Sequence, residues 1–393
     1  MAAEGALDSI ALLARLLAFD TTSRNPNRAL IDEVARLLRG AGLEPVPIPD
    51  ASGGKANLFV TAGPRDRGGV MLSGHTDVVP VDGQAWTVPP FALTRREGRL
   101  HGRGAADMKG FVACALRAVL LAAGRDLRTP LHLALSYDEE LGCLGVPSLI
   151  AMLAAAPVRP RLCIVGEPTG MAVATGHKGK VALRATCTGR EAHSALAPTG
   201  LNAIHLAADL LGRLRLLQDR LEREGPRDAD YDVPYTTVHA GRIEGGVALN
   251  IVPNRCLLDF EVRNVVEDDL PALVREIGAE AEGIAAARRD GFPEAAIAIE
   301  ELFSYPGLGT PTDAEAVRFV QSLTGANGTI KVAFGTEGGL FSERLGVPTV
   351  ICGPGSMAQG HKPDEFVTEA QLARCDAMLE ALLGRLEAGL WGS

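Results

Sequence analysis

Two hydrophobic periods alternate along the first half of the chain. Short aliphatic and β-branched runs (NLFVTAG, GVMLSG, LHLALSY, RLCIVG) are separated by longer stretches whose apolar positions recur every three to four residues. The runs predict strands, and the stretches predict helices over about 8–18, 30–38 and 109–123. In the second helix Ile31, Val34 and Leu38 share a face, and Gly40 closes it. Another strand-like run, PTVICG, lies near the C-terminus. Strands that are apolar throughout fit a mostly parallel central sheet flanked by helices, an α/β domain. Such sheets bind ligands beyond the carboxyl ends of their strands.

From about residue 180 the pattern changes. VALRATCTGREAHSA alternates like a half-exposed strand, an apolar helix follows over about 203–222, and YTTVHAGRIEGG and ALNIVPNRCLLDFEVRN read as antiparallel strands. A second helix over about 268–286 and a last strand, AAIAIEELFS, complete the order. Strand, helix, two strands, helix, strand is the ferredoxin-like α+β order. The expected division is therefore an inserted domain at about 180–304 within a larger domain of 1–179 and 305–393.

Composition narrows the field. With 47% hydrophobic and 22% charged residues, 393 residues make an ordinary folded protein with ample core. A net charge of −9 with only 4% aromatics argues against nucleic acid and anionic lipid as partners. Glu4 and Asp8 precede the first basic residue, Arg15, unlike the cationic start of a secretory signal. The uncharged stretch 141–158 is broken by Gly142, Gly145, Pro147 and Pro157, so no membrane span is expected. Seven cysteines without CxxC spacing suit buried, reduced thiols and a cytoplasmic location.

Acidic residues and histidines follow the predicted strands. His75 and Asp77 come after VMLSG, Asp138, Glu139 and Glu140 after LHLALSY, and Glu167 after LCIVG. Asp107 sits in the Gly-rich GRGAADMKG before a helix, and His361 in GHKPDEF after the last strand. Singly, each has a plain reading: His75 as a structural histidine, Asp107 as a helix cap. Together they suggest more. Adjacent carboxylates repel unless a cation neutralises them, and histidines with carboxylates but no thiolate suit zinc or a related divalent ion. The set is large enough for two ions, which could activate a water and stabilise an oxyanion.

In this order the motifs SGHTDVVP, GRGAADMKG, YDEELG, GEPTG and GHKPDEF resemble the dinuclear zinc amidohydrolases and peptidases. That family includes aminoacylases, glutamate carboxypeptidases, succinyl-diaminopimelate desuccinylases and acetylornithine deacetylases. The resemblance implies a zinc-exopeptidase-like catalytic domain with an inserted lid, through which two copies form a homodimer. It further implies two Zn2+, with Co2+ able to substitute: one held by His75, Asp107 and Glu167, the other by Asp107, Glu140 and His361. Asp77 would orient His75, and Glu139 would be the general base. His193 would reach the oxyanion in the partner's site, and Asn250 and Arg263 would grip a substrate carboxylate.

SGHTDVVPVDGQAWTVPPFALT, AFGTEGGLF and GPGSMAQGHKPDEF look most like acetylornithine deacetylases. The implied reaction is N2-acetyl-L-ornithine to ornithine and acetate, in arginine biosynthesis. Glu337 of GTEGG would then meet the substrate's cationic end, or simply be solvated. The alternatives are a succinyl-diaminopimelate desuccinylase or a broader N-acyl-amino-acid amidohydrolase. A metal-dependent phosphoesterase and a silent binding module are further from the residues, since no GxxxxGK[ST] loop is present and Glu139 and every matched ligand are.

Overall fold

The computed structural model describes residues 8–390; Glu4, part of the N-terminal reading, lies outside them. The chain divides into two compact units, Met1–His177 with Leu308–Val332 and Thr336–Ser393, and Lys178–Gly307 with Ala333–Gly335.

The first unit is built on a nine-stranded sheet. Its order is Val46–Pro49, Ala56–Ala62, Leu131–Ser136, Val70–His75, Leu162–Pro168, Thr349–Gly353, Ala174–His177 and Leu308–Gly309, with Ile330–Val332 also pairing to Ala174–His177. The four central strands, from Leu131–Ser136 to Thr349–Gly353, are mutually parallel. Antiparallel pairs flank them on both sides. All four are buried at every position, which is why they read as apolar runs and not as alternation.

Helices Ser9–Leu17, Arg28–Gly40, Lys109–Ala122 and Glu369–Ala388 share one hydrophobic core with this sheet. Val146–Ala155 and Gly338–Leu345 pack on each other and on the sheet. The second helix runs through Gly40; the chain turns at Gly42, whose φ of +81° is the left-handed conformation that favours glycine. Among the described residues no helix is long and apolar enough to cross a membrane. All seven cysteines are buried and unpaired.

The second unit has its own core, formed by helices Ala203–Glu224 and Leu270–Ala286 against one face of a four-stranded antiparallel sheet. The sheet order is Thr237–Gly245, Arg255–Asn264, Gly179–Thr188, Ala296–Tyr305, the ferredoxin-like arrangement. Two predicted strands are shorter than expected: VALRATCTGREAHSA leaves the sheet after Thr188, and ALNIVPNRCLLDFEVRN enters it late. ALNIVPN is not the first half of the latter but a loop, exposed except for Val252 and Pro253, that runs to Asn254, with the strand starting at Arg255; a proline cannot donate to the ladder.

Candidate metal centre

Because the central strands are parallel, their carboxyl ends share a rim. His75 ends its strand, Glu167 lies near the end of the neighbouring strand, and Glu139 and Glu140 follow Leu131–Ser136. Asp107 precedes the helix Lys109–Ala122. His361 sits in the loop after Thr349–Gly353.

The structure brings these six side chains together. His75 Nε2 lies 3.0 Å from Asp107 Oδ1 and 3.8 Å from Glu167 Oε1. His361 Nε2 lies 3.1 Å from Asp107 Oδ2 and 3.1 Å from Glu140 Oε1. Asp107 thus divides its two oxygens between the two histidines. Donor atoms of His75, Glu139 and Glu167, and of His75, Asp107 and Glu140, each converge within 4.8 Å. Glu139 therefore stands close enough to be a ligand as well as a base. Its Oε1 is 3.7 Å from the Cys143 Sγ.

The donor set suits cations. His75 Nδ1 lies 2.9 Å from the main-chain oxygen of Asp77. A carbonyl only accepts, so Nδ1 carries the proton and Nε2 turns its lone pair toward carboxylate oxygens. Acceptors facing acceptors need a proton or a metal between them. Burial would lower the pKa of His75, but Asp107, Asp77, Glu167 and Glu139 outweigh it and hold it well above the usual histidine value. His361 is raised to about 10 by its bonds to Asp107 and Glu140. Burial, reinforced by Asp107, pushes Glu140 up to about 7 and Glu167 well above the carboxylate range. Glu139 is also raised, by burial first and then by Glu140 and Asp107 against the pull of His75. Asp107 alone is held far down, because both imidazoles outweigh its burial. Nitrogen and oxygen donors, no thiolate and excess carboxylate fit a divalent metal pair.

Three neighbours add to the sequence reading. Asp77 touches His75 chiefly through its carbonyl; its carboxylate is 3.6 Å from Nδ1. That carboxylate also accepts the Ser23 hydroxyl (2.7 Å) and the N–H groups of Glu139 (3.1 Å) and Glu140 (3.3 Å). It therefore holds the acidic turn as well as the histidine. Asp138 leaves the acidic trio and pairs with Lys55 Nζ at 2.6 Å, so an ammonium answers the repulsion there.

Glu337 is not solvated: it is 1% exposed, as buried as His75. The helix Gly338–Leu345 begins against the sheet, and the N–H of Gly339 donates to His177 Nε2 at 3.1 Å. This tucks the Glu337 carboxylate beside the Ser73 and Ser136 hydroxyls, and burial raises its pKa to about 7.

The remaining candidates belong to the second unit. His193 is exposed; its Nδ1 accepts the N–H of Ala195 at 3.1 Å, and it bridges to Ile251 beside Asn250. Val247 and Leu249 in that loop are 84% and 102% exposed. Arg263 is held by Glu261 at 2.7 Å, which also pairs with Lys180 at 2.7 Å.

Residues 71–385 match the sequence pattern of Peptidase family M20/M25/M40. The chain belongs to this family. It is 37% identical to a protein named acetylornithine deacetylase from Myxococcus xanthus, over 94% of this chain and 95% of that one. It is 36% identical to a protein of the same name from Proteus mirabilis, over 90% and 88%. The fold is similar to an M20 family metallo-carboxypeptidase from Sulfolobus solfataricus, with a TM-score of 0.79 at 19% identity over 97% and 100% of the two chains. A Bacillus subtilis protein described as a dinuclear metal binding peptidase of the M20 family matches with a TM-score of 0.67 at 15% identity, over 95% and 96%. Like other M20 members, the chain is a metal-dependent hydrolase.

Proposed function

We propose that this enzyme hydrolyses the amide bond of an N-acyl amino acid, N2-acetyl-L-ornithine, releasing L-ornithine and acetate for arginine biosynthesis in the cytoplasm. The observation that carries the reading is Asp107, with one oxygen toward His75 and the other toward His361. That placement suits a bridging ligand. The names of its relatives at 33–37% identity support the substrate.

His75, Asp107 and Glu167 would hold one Zn2+, and Asp107, Glu140 and His361 the other. When bound, such a pair supplies Lewis-acid polarisation of the amide carbonyl and lowers the pKa of water. Glu139 takes the proton from the attacking water and returns it to the departing amine, one carboxylate serving both steps. Its buried, acid-rich surroundings raise its proton affinity, as that double role requires. Asp77 fixes the main chain of Glu139 and Glu140 from behind.

The unit of Lys178–Gly307 serves as a lid and as the contact of a homodimer. In it, His193 donates to the oxyanion of the other copy's site, and Asn250 and Arg263 bind the substrate carboxylate. The exposed apolar loop of Val247 and Leu249 beside His193 supports a contact with a second chain.

The test is a substrate panel. Zinc-loaded protein is incubated separately with N2-acetylornithine, N-succinyl-diaminopimelate and N-acetylmethionine, and amine release is followed. The expected ranking has acetylornithine highest in kcat/KM; preference for either of the others rejects the assignment.

A further inference from the structure

Glu365 and Arg103 form an ion pair at 2.6 Å in which both side chains are 1% exposed. Neither takes part in the chemistry above. Burying two charges is costly, and an apolar pair would serve stability as well, so the pair calls for a positional explanation.

Its hydrogen bonds supply one. Glu365 Oε1 accepts the main-chain N–H groups of Ala106 (2.9 Å) and Asp107 (3.1 Å), while Oε2 accepts Arg103 Nη1. Arg103 Nη2 donates to Gln84 Oε1, and Gln84 Nε2 donates to the main-chain oxygen of His361 at 3.0 Å. An unbroken chain of bonds thus joins the peptide N–H of Asp107 to the peptide carbonyl of His361. Those are the two residues whose side chains meet at 3.1 Å in the centre.

Two further features show that the loop is held against its own preference. His361 and Asp364 have φ of +62° and +54°, a conformation that persists in non-glycine residues only where surroundings enforce it. The Asp364 carboxylate accepts the N–H (2.8 Å) and hydroxyl (2.7 Å) of Thr87. The Trp86 indole N–H donates to Gln84 Oε1 at 3.1 Å, and its ring lies 5.0 Å from the Arg103 guanidinium, fixing both links.

We propose that Glu365, Arg103 and Gln84 are positioning residues that set the spacing of Asp107 and His361. They thereby set the affinity of the metal position these two share with Glu140. The proposal rests on the two-ion reading of the centre. Gln84 touches the His361 end directly and Asp107 only through Arg103 and Glu365, so its loss weakens the His361 position more than the one that includes His75 and Glu167. Glu365 acts at the Asp107 end, so its loss affects both.

The test is stepwise Co2+ titration of full-length apo-protein, followed by visible absorption and calorimetry, with His361→Ala marking which step is which. Gln84→Ala is expected to weaken the His361-dependent step by about 10- to 100-fold, the range for losing an outer partner of a metal ligand. The other step stays closer to the parent's, and the apo-protein melting temperature falls in Gln84→Ala, which leaves buried Arg103 without that acceptor. Gln84→Glu keeps the acceptor for Arg103 but loses the donor to His361, and is expected to behave like Gln84→Ala. Glu365→Gln weakens both steps. If both Gln84 variants bind two ions as the parent does, or lose the two steps equally, the clamp is overturned and the two-ion centre stands. If the parent binds no ion, the centre and the clamp fall together.

Discussion

Burial keeps His132 neutral. Its ring stacks on Phe59 with centroids 5.4 Å apart, Nδ1 lies 2.9 Å from the Thr61 hydroxyl, and desolvation lowers its pKa to about 4. The unfolded chain therefore binds a proton that the folded one refuses. The stability that depends on neutral His132 is complete above about pH 6.5 and is lost as pH falls toward 4, amounting to about 3 kcal/mol. Urea midpoints of the parent and His132→Gln, compared across that window, should converge as pH falls; parallel curves would show no such linkage. Glu139→Gln makes the second expectation at this scale. Both metals stay bound while kcat falls at least about 100-fold, as expected for loss of a general base; loss of metal instead would make Glu139 a ligand. Individual residues were unevenly legible in the sequence. The acids and histidines that follow parallel strands had to share a rim, and they do. Asp138 could not be separated from Glu139 and Glu140, because its partner Lys55 is distant in sequence. The burial of Glu337, read as a substrate contact or a solvated side chain in a Gly-rich loop, was not legible, because nothing local says that a helix there starts against the sheet.

Elements place the centre through close packing. Gly166, one residue before Glu167, faces Phe111 of the helix Lys109–Ala122, and a Cβ there would lie 1.9 Å from the ring. The strand can lie on that helix only because the position has no side chain. Gly166→Ala should cost about 1–3 kcal/mol through overpacking, read as a lower denaturation midpoint, with weaker metal binding because Glu167 is carried along. Unchanged stability would mean that the helix yields freely. In the second unit, Asn202 caps Ala203–Glu224 by accepting the N–H groups of Ile204 (2.9 Å) and His205 (3.3 Å). At this scale periodicity predicted most elements, since uniformly buried strands and amphipathic helices leave distinct signatures. It failed at ALNIVPN, where Leu249 and Ile251 face solvent. A hydrophobic loop imitates a strand when the pattern assumes that apolar means inside.

For the whole molecule, the ferredoxin-like unit was legible because its six elements come in a recognisable order, and its antiparallel register follows from that order. The Glu365–Arg103 link was not, although both residues lie in quoted motifs, because pairing across the chain leaves no local trace. If His193 acts on the other copy's site, Glu139→Gln and His193→Ala chains, each inactive alone, should complement when mixed and re-equilibrated. Half the dimers would then be mixed, each with one intact site, giving about a quarter of parental activity. No recovery would place His193 outside the partner's chemistry. The centre itself is tested most directly by elemental analysis of the zinc-replete protein and His361→Ala after gel filtration. Two zinc ions per parent chain and one per variant chain are expected; a parent that carries none contradicts the assignment of these six side chains.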